Sequence, residues 1–459
     1  MSNAITDCGD SDAIEQPLIN TTHVDSKAPP STRLCMFAAP ISTFERLSQT
    51  ADYVKNPQQY LINKLGQHTY DERQDLLCIA PSYQGDVYGD RGHKTHFEQH
   101  IANQLGKKHG LFFITGVQAQ LIALKVHCTA ANNPRVAWHV SSHLESAEEG
   151  AFEELYGLKR MTLGNDARQL PTVDEIIRTA SLRESQRPAV ILLEVPNRTL
   201  GCSTYTFEEL QHISAACHEH GVLLHLDGAR LWEIGPYYRE TADKSLADVV
   251  RLFDTAYVSF YKGLAGVTGA VLVTNDSGVL NEAKMWQRRA GGNPFTMVYE
   301  TIDCERGFNE NIGSFSRKWK KMDDIVRAIR AAVDSYKSPE GLDIVEFWPA
   351  EPKCCQVRTI FNGYTAEQLN EARDRTESKT GIRVFEMLWS SFSLDEKLAA
   401  DRAGCTLEAD PFKIQHEIEW MIMSVTEKID TAVFVKGYVT LCQELQSDER
   451  RLISSSTTS

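Results

Sequence analysis

Between about residue 85 and residue 300 the chain alternates two hydrophobic periods. Apolar residues recur at helical spacing from Phe97 to Lys108 and again from Gln118 to Cys128. Short apolar runs separate such stretches: Leu111–Ile114, Val136–Val140, Val190–Val195, Val222–Leu226, Thr255–Phe260 and Ala270–Thr274. Runs of this length that are largely apolar predict strands buried on both faces. Thr206 to His220 reads as a helix, with Thr206 as N-cap and Glu208 and Glu209 in the first turn. Strands alternating with helices of about 10–15 residues predict βαβ units, a mainly parallel sheet covered on both faces, and ligands beyond the carboxyl ends of the strands.

From about residue 340 the elements shorten. Glu346–Trp348, Cys355–Phe361 and Ile382–Trp389 read as strands, Thr365 to about Thr380 and Thr426 to Gln446 as helices. The expected organisation is a flexible arm at 1–32, an N-terminal extension at 33–84 packing on the core, a large domain at 85–335, a small α+β domain at 336–450 and a fraying tail at 451–459. A length of 459 residues suits two or three units of ~150 residues each.

A net charge of −14 argues against nucleic acid as a partner, because a phosphate backbone needs a basic face. The longest apolar runs have strand length, below the ~20 residues of a membrane span. The chain's start carries no basic segment followed by an apolar one, so a cytoplasmic protein is expected. The 11 cysteines are scattered without C-x-x-C spacing, which predicts free thiols and no bound metal.

Three strand ends carry the candidate chemistry. His225-Leu-Asp227-Gly-Ala-Arg230 follows one apolar run, and Ser259-Phe-Tyr-Lys262-Gly263 follows the next. An Asp-Gly alone is a turn, and a Lys-Gly alone a solvated loop. Together, on neighbouring strand ends, they are what pyridoxal 5′-phosphate (PLP) requires. The amine condenses with the cofactor aldehyde, and the carboxylate keeps the pyridine nitrogen protonated. The turn Thr115-Gly116-Val-Gln118 leads from strand to helix, where exposed N–H groups and the helix dipole favour a phosphate.

Leu111–Leu124, Leu224–Arg230 and Ser259–Gly269, with Asp86-Val-Tyr-Gly-Asp90, resemble the threonine aldolase and β-eliminating lyase family of fold-type-I PLP enzymes. That resemblance implies an α/β fold with a mainly parallel seven-stranded sheet in a three-layer sandwich, plus a small carboxyl-terminal domain. It implies Lys262 as the cofactor-bearing lysine, Asp227 at the ring nitrogen, and Thr115, Gly116 and Gln118 at the phosphate. It also implies His143 stacked on the ring, Arg230 at the substrate carboxylate and Arg288 reaching a phosphate. His143 also reads as a half-buried histidine at a strand end, and Arg288 and Arg289 as a solvated helix face. Relatives of this kind form homodimers or homotetramers, with Tyr88 and the Arg288 loop expected at the contact and Tyr88 beside the substrate.

The departures lie on the substrate side. Family threonine aldolases carry Glu-Asn-Thr-His after the fourth core strand, whereas this chain has Glu194-Val-Pro-Asn197-Arg198. An amide there positions by hydrogen bonds and cannot act as a base. A second carboxylate-binding arginine is missing from Glu417–Ser424, where His416 or Glu419 stands instead. The expected activity is therefore aldol cleavage or formation of a small β-hydroxy-α-amino acid. Racemisation or β-elimination through Cα–H stays open, as does a non-catalytic scaffold.

Overall fold

The computed structural model describes residues 31–36, 41–73, 76, 85–392, 399 and 414–456. The expected arm lies outside these except for its last two residues. The strands are β1 (Thr32–Cys35), β2 (His109–Phe113), β3 (Arg135–Trp138), β4 (Lys159–Thr162), β5 (Val190–Glu194), β6 (Leu223–Gly228) and β7 (Thr255–Ser259). They continue with β8 (Ala270–Thr274), β9 (Val345–Trp348), β10 (Gln356–Phe361), β11 (Ile382–Phe385), β12 (Trp389–Phe392) and β13 (Ile414–Met421).

Each apolar run of the first half becomes a strand of one seven-stranded sheet, ordered β2-β8-β7-β6-β5-β3-β4. Strands β3 to β7 run parallel to one another, while β8 is antiparallel to both β7 and β2. Successive residues of a strand serve opposite layers. Val190 and Leu192 pack on one side, against the helix Gly116–Ala130; Ile191 and Leu193 pack on the other, with Ile213 of the helix Phe207–Glu219. The sheet is thus the middle of three layers. Thr206 caps its helix in a capping box with Glu209, as the sequence predicts.

Polar residues break the apolar face at every second position of β6 and β7. His225 pairs with Thr255 and Asp227 with Tyr257 across the two strands. His127, on the helix Gly116–Ala130, reaches Thr255, and so does His225, at 2.9 and 2.8 Å. A polar seam therefore runs from the core to the carboxyl end of β6. Burial lowers both imidazoles, to about 4 for His127 and about 3 for His225, so they are neutral spacers.

Several elements differ from expectation. The helix read at Phe97–Lys108 runs Gly92–Gln104 and stops before Gly106, whose φ of 67° lies in the left-handed region. The run Ile382–Trp389 divides between two sheets: β11 pairs with β1, and β12 with β13. Pairing with β11 places residues 32–35 against the carboxyl-terminal region. The strand β13 completes the sheet β12-β13-β10-β9. The closing helix runs Thr431–Ser456, starting later than Thr426 and continuing past Arg451 through residues expected to fray.

The helices Thr43–Lys55 and Pro57–Leu65 lie on the helix Val298–Asn311 through buried polar contacts. The Tyr53 hydroxyl donates to Glu305 at 2.5 Å and that of Tyr60 to Glu310 at 2.6 Å. Among the described residues no helix is long and apolar enough to cross a membrane, and no cluster of His, Cys, Asp and Glu could hold a metal ion. Eight cysteines of this part are buried and free.

Candidate active site

The strand β2 ends at Phe113, and Thr115 caps the helix Gly116–Ala130 by accepting from the Gln118 N–H at 3.3 Å. A Cβ at Gly116 would lie 2.5 Å from the Tyr257 ring, so only glycine lets the helix start this close to β7. The Tyr261 hydroxyl meets the Gly116 N–H. Gln118 packs on Gly292, beyond the helix that carries Arg288 and Arg289.

Asp227 emerges at the end of β6, almost wholly buried. One oxygen accepts from the Ala229 N–H at 3.1 Å, and the Tyr257 hydroxyl and the Gln120 amide also donate to it. Burial raises its pKa; these donors and the nearby His143 pull the other way. Glu194 stands beside it on β5, in register. Burial and the Asp227 charge push Glu194 up to about 8.

Lys262 follows β7 and is half-buried. Burial lowers its amine to about 8, with Arg230 and Arg198 lowering it further and Glu419 and Glu233 opposing. The loop behind it is tied on several sides. Gly263 N–H donates to the buried Glu233 at 2.7 Å, and Val267 N–H to Asp303 at 2.7 Å. The Ala265 carbonyl accepts from Arg46 at 2.5 Å, so the N-terminal helix Thr43–Lys55 reaches the lysine loop.

Facing the lysine is a hub of charge. Arg230 is buried; its Nε donates to Gln356 at 2.8 Å and its Nη2 to Glu419 at 3.1 Å. Glu419, on β13, also takes Arg198 through Nε at 2.9 Å and Nη2 at 2.6 Å. Arg358, on β10, lies 3.5 Å away and pairs with Glu417. Burial alone would raise the Glu419 carboxyl, but Arg198, Arg230 and Arg358 outweigh it and bring it to about 2.

The remaining expected residues fall in three places: His143 and Asn197 around the end of β3, Tyr88 with Arg288 on an exposed face, and His416 on β13. His143 begins a short helix after β3, and its Nδ1 is 2.5 Å from Glu148. Asn197 is buried and held at both ends, donating to the Ser141 hydroxyl at 2.9 Å and accepting from Leu200 N–H at 2.9 Å. Tyr88 is exposed, edge-on to Phe295 at 5.5 Å, with the Arg288 guanidinium 5.9 Å from its ring centre. His416 hydrogen-bonds Ser390 at 2.8 Å.

Sequence reasoning passed over Gln120, Tyr257, Glu233, Arg198 and Arg358. A signal existed for two of them. Gln120 is polar on a helix otherwise buried along that face, and Thr255, Tyr257 and Ser259 place polar groups at every second residue of β7. The others follow from packing alone.

Comparison with known proteins agrees with this layout. The profile of the family described as beta-eliminating lyase matches residues 78–344, more than half of the chain. The chain belongs to the beta-eliminating lyase family. Low-specificity L-threonine aldolase 1 of Arabidopsis thaliana is 26% identical over 48% of this chain and 61% of its own length. An alanine racemase of Cochliobolus carbonum is 26% identical over 50% of this chain and 57% of its own. The chain thus spans about three fifths of the length of the curated relatives it matches. A Listeria monocytogenes protein whose crystal structure bears the provisional name L-allo-threonine aldolase superposes with a TM-score of 0.69 at 28% identity, covering 90% of this chain and 96% of that one.

The family is one of PLP-dependent lyases with the fold-type-I architecture. The residues present fit that cofactor. Lys262 offers an amine that loses its proton near pH 8, Asp227 a buried carboxylate at the neighbouring strand end, and Gly116 the N-terminus of a helix at the end of β2.

Proposed function

We propose that this protein cleaves, or in reverse forms, the Cα–Cβ bond of a small β-hydroxy-α-amino acid such as threonine, giving glycine and an aldehyde. The observation that carries the reading is the pairing of Lys262 and Asp227 on neighbouring strand ends. When bound, PLP supplies an electron sink for the Cα bond held perpendicular to its ring.

The chain's residues divide the remaining work. Lys262 would hold the cofactor through its amine and would move a proton at the substrate Cα. Asp227 holds the ring nitrogen's proton, with Tyr257 and Gln120 fixing the carboxylate. Thr115, Gly116 and Gln118 bind the phosphate, and Arg288 adds charge near it. His143 would pack against the cofactor ring; with a proton on Nδ1 directed at Glu148, its Nε2 would accept the proton of the β-hydroxyl. Arg230 and Tyr88 belong to the substrate side, while Asn197 braces Ser141 and Leu200 beside it.

A second reading is racemisation or β-elimination, with Lys262 taking the Cα proton. Asn197 favours it, because an amide held at both ends cannot deprotonate a β-hydroxyl. Incubating the loaded protein with L-threonine, L-allo-threonine, L-serine and L-alanine, then resolving products chirally, separates the readings. Glycine with acetaldehyde is expected. D-alanine instead would establish the racemase, and pyruvate or 2-oxobutyrate the lyase. No product from any of the four would leave a scaffold.

We also infer a homodimer or homotetramer acting in the cytoplasm, where the buried thiols stay reduced. The exposed Tyr88–Phe295 pair with Arg288 is the contact surface. Light scattering that finds an active monomer would remove this inference.

A further inference from the structure

Four segments far apart in the chain bring three guanidinium groups onto one carboxylate. Arg198 follows β5, Arg230 follows β6, Arg358 lies on β10 and Glu419 on β13, directly across from Arg358 in the antiparallel register. Arg198 grips both Glu419 oxygens, at 2.9 and 2.6 Å. Arg230 at 3.1 Å and the Gln356 amide at 2.5 Å share one of those oxygens. A forked guanidinium with a second cation behind it is how proteins receive a carboxylate.

This receptor lies at the same end of the sheet as the reactive amine: Arg230 follows β6 and Lys262 follows β7, and the two strands pair in parallel. The occupant belongs to the chain itself. The Glu419 side chain is 1% exposed and covers Arg230, at 3%, leaving Arg198, at 22%, as the guanidinium nearest the opening.

We propose that Glu419 is a built-in occupant of the site for small carboxylates, and that a substrate carboxylate enters at Arg198 and gains Arg230 by exchange with Glu419. Glu419 is therefore a specificity-determining residue. It weakens the grip on any plain monocarboxylate and leaves discrimination to the rest of the substrate. The inference rests on the amino-acid reading above for the identity of the carboxylate, not for the existence of the site.

The test is calorimetric titration of the loaded protein with sodium propionate at constant ionic strength. Propionate has no amine and cannot react, so the outcome does not depend on which reaction is catalysed. Glu419→Gln should bind propionate at least ~10-fold more tightly than wild type, because a close opposing charge is worth that much or more. Adding Arg198→Gln to Glu419→Gln should return the affinity to the wild-type level or below. Equal or weaker binding by Glu419→Gln overturns the proposal, as does a gain that persists without Arg198 or one that chloride reproduces. If Glu419→Gln does not fold, Glu419→Asp, which keeps the charge on a shorter arm, should show a smaller gain, and no gain there also overturns it. A protein that fails to hold PLP through Lys262 would sink the functional reading and leave the propionate result to stand or fall separately.

Discussion

The two sides of the cleft are built in opposite ways. The proposed cofactor side consists of the Thr115–Gly116 turn, Asp227 and Lys262, each at the end of a strand and each set by its neighbours in sequence. Its carboxylate is satisfied by a backbone N–H just after β6, a hydroxyl on β7 and an amide on the helix Gly116–Ala130 that follows β2. The substrate side is a knot of charges from β5, β6, β10 and β13, none of which is satisfied within its own segment. The first arrangement suits one fixed molecule held by rigid backbone. The second can be retuned by a single side chain, which is where a family diverges in substrate while keeping its cofactor.

Replacing Lys262 should produce the largest effect. Lys262→Ala is expected to remove the cofactor's visible absorption and to lower turnover by at least ~10³-fold, since anchor and proton carrier are lost together. If the absorption persists in a spectrum of the purified variant, another lysine holds the cofactor and the contrast between the two sides dissolves. Asp227→Asn should lower turnover by about 10²–10³-fold while equilibrium dialysis still finds cofactor bound, because phosphate and lysine hold it independently. Unchanged rates would remove the carboxylate from the electronics.

The pH dependence of loading sharpens the comparison further. Burial and the Arg230 and Arg198 charges favour the neutral amine of Lys262, whose midpoint falls to about 8. Below that pH the ammonium predominates and cannot attack an aldehyde; above it the free amine does. The rate at which cofactor-free protein captures PLP should therefore rise with pH and level off above about 8, followed by stopped-flow absorbance. A midpoint near that of an ordinary lysine would mean that the arginine hub exerts no field on the amine.

Asn197→Ala should give the smallest change in chemistry. Its amide ties Ser141 to Leu200, so its loss should cost about 1–3 kcal/mol in thermal stability, with turnover altered less than ~3-fold. A collapse in turnover with the melting temperature unmoved would make Asn197 a substrate contact and not a brace.

Legibility in the sequence follows the same division. Apolar runs bounded by turns fix strands β5 to β8 to within a residue or two, because a strand buried on both faces admits almost nothing else. The reversal of β8 leaves no mark in such a run, since direction depends on the connection and not on composition. The bisection of Ile382–Phe392 is equally hidden: β11 and β12 look like one stretch, and only the partners β1 and β13 pull them into different sheets. Tyr88 and the Arg288 loop were expected at a subunit contact; within one chain they lie together on an exposed face, a proximity that no sequence pattern gave.

The residues alone determined the layered α/β architecture and the presence of an amine, a carboxylate and an anion-binding turn at strand ends, because periodicity and strand-to-helix turns act over a few residues. Tertiary structure decided what the arginines do. Arg230 reads as a ligand-gripping cation until β13, nearly two hundred residues later in the chain, lays Glu419 across it. Charge pairs are chosen by distance in space, and in a buried site a cation takes whichever carboxylate the packing delivers.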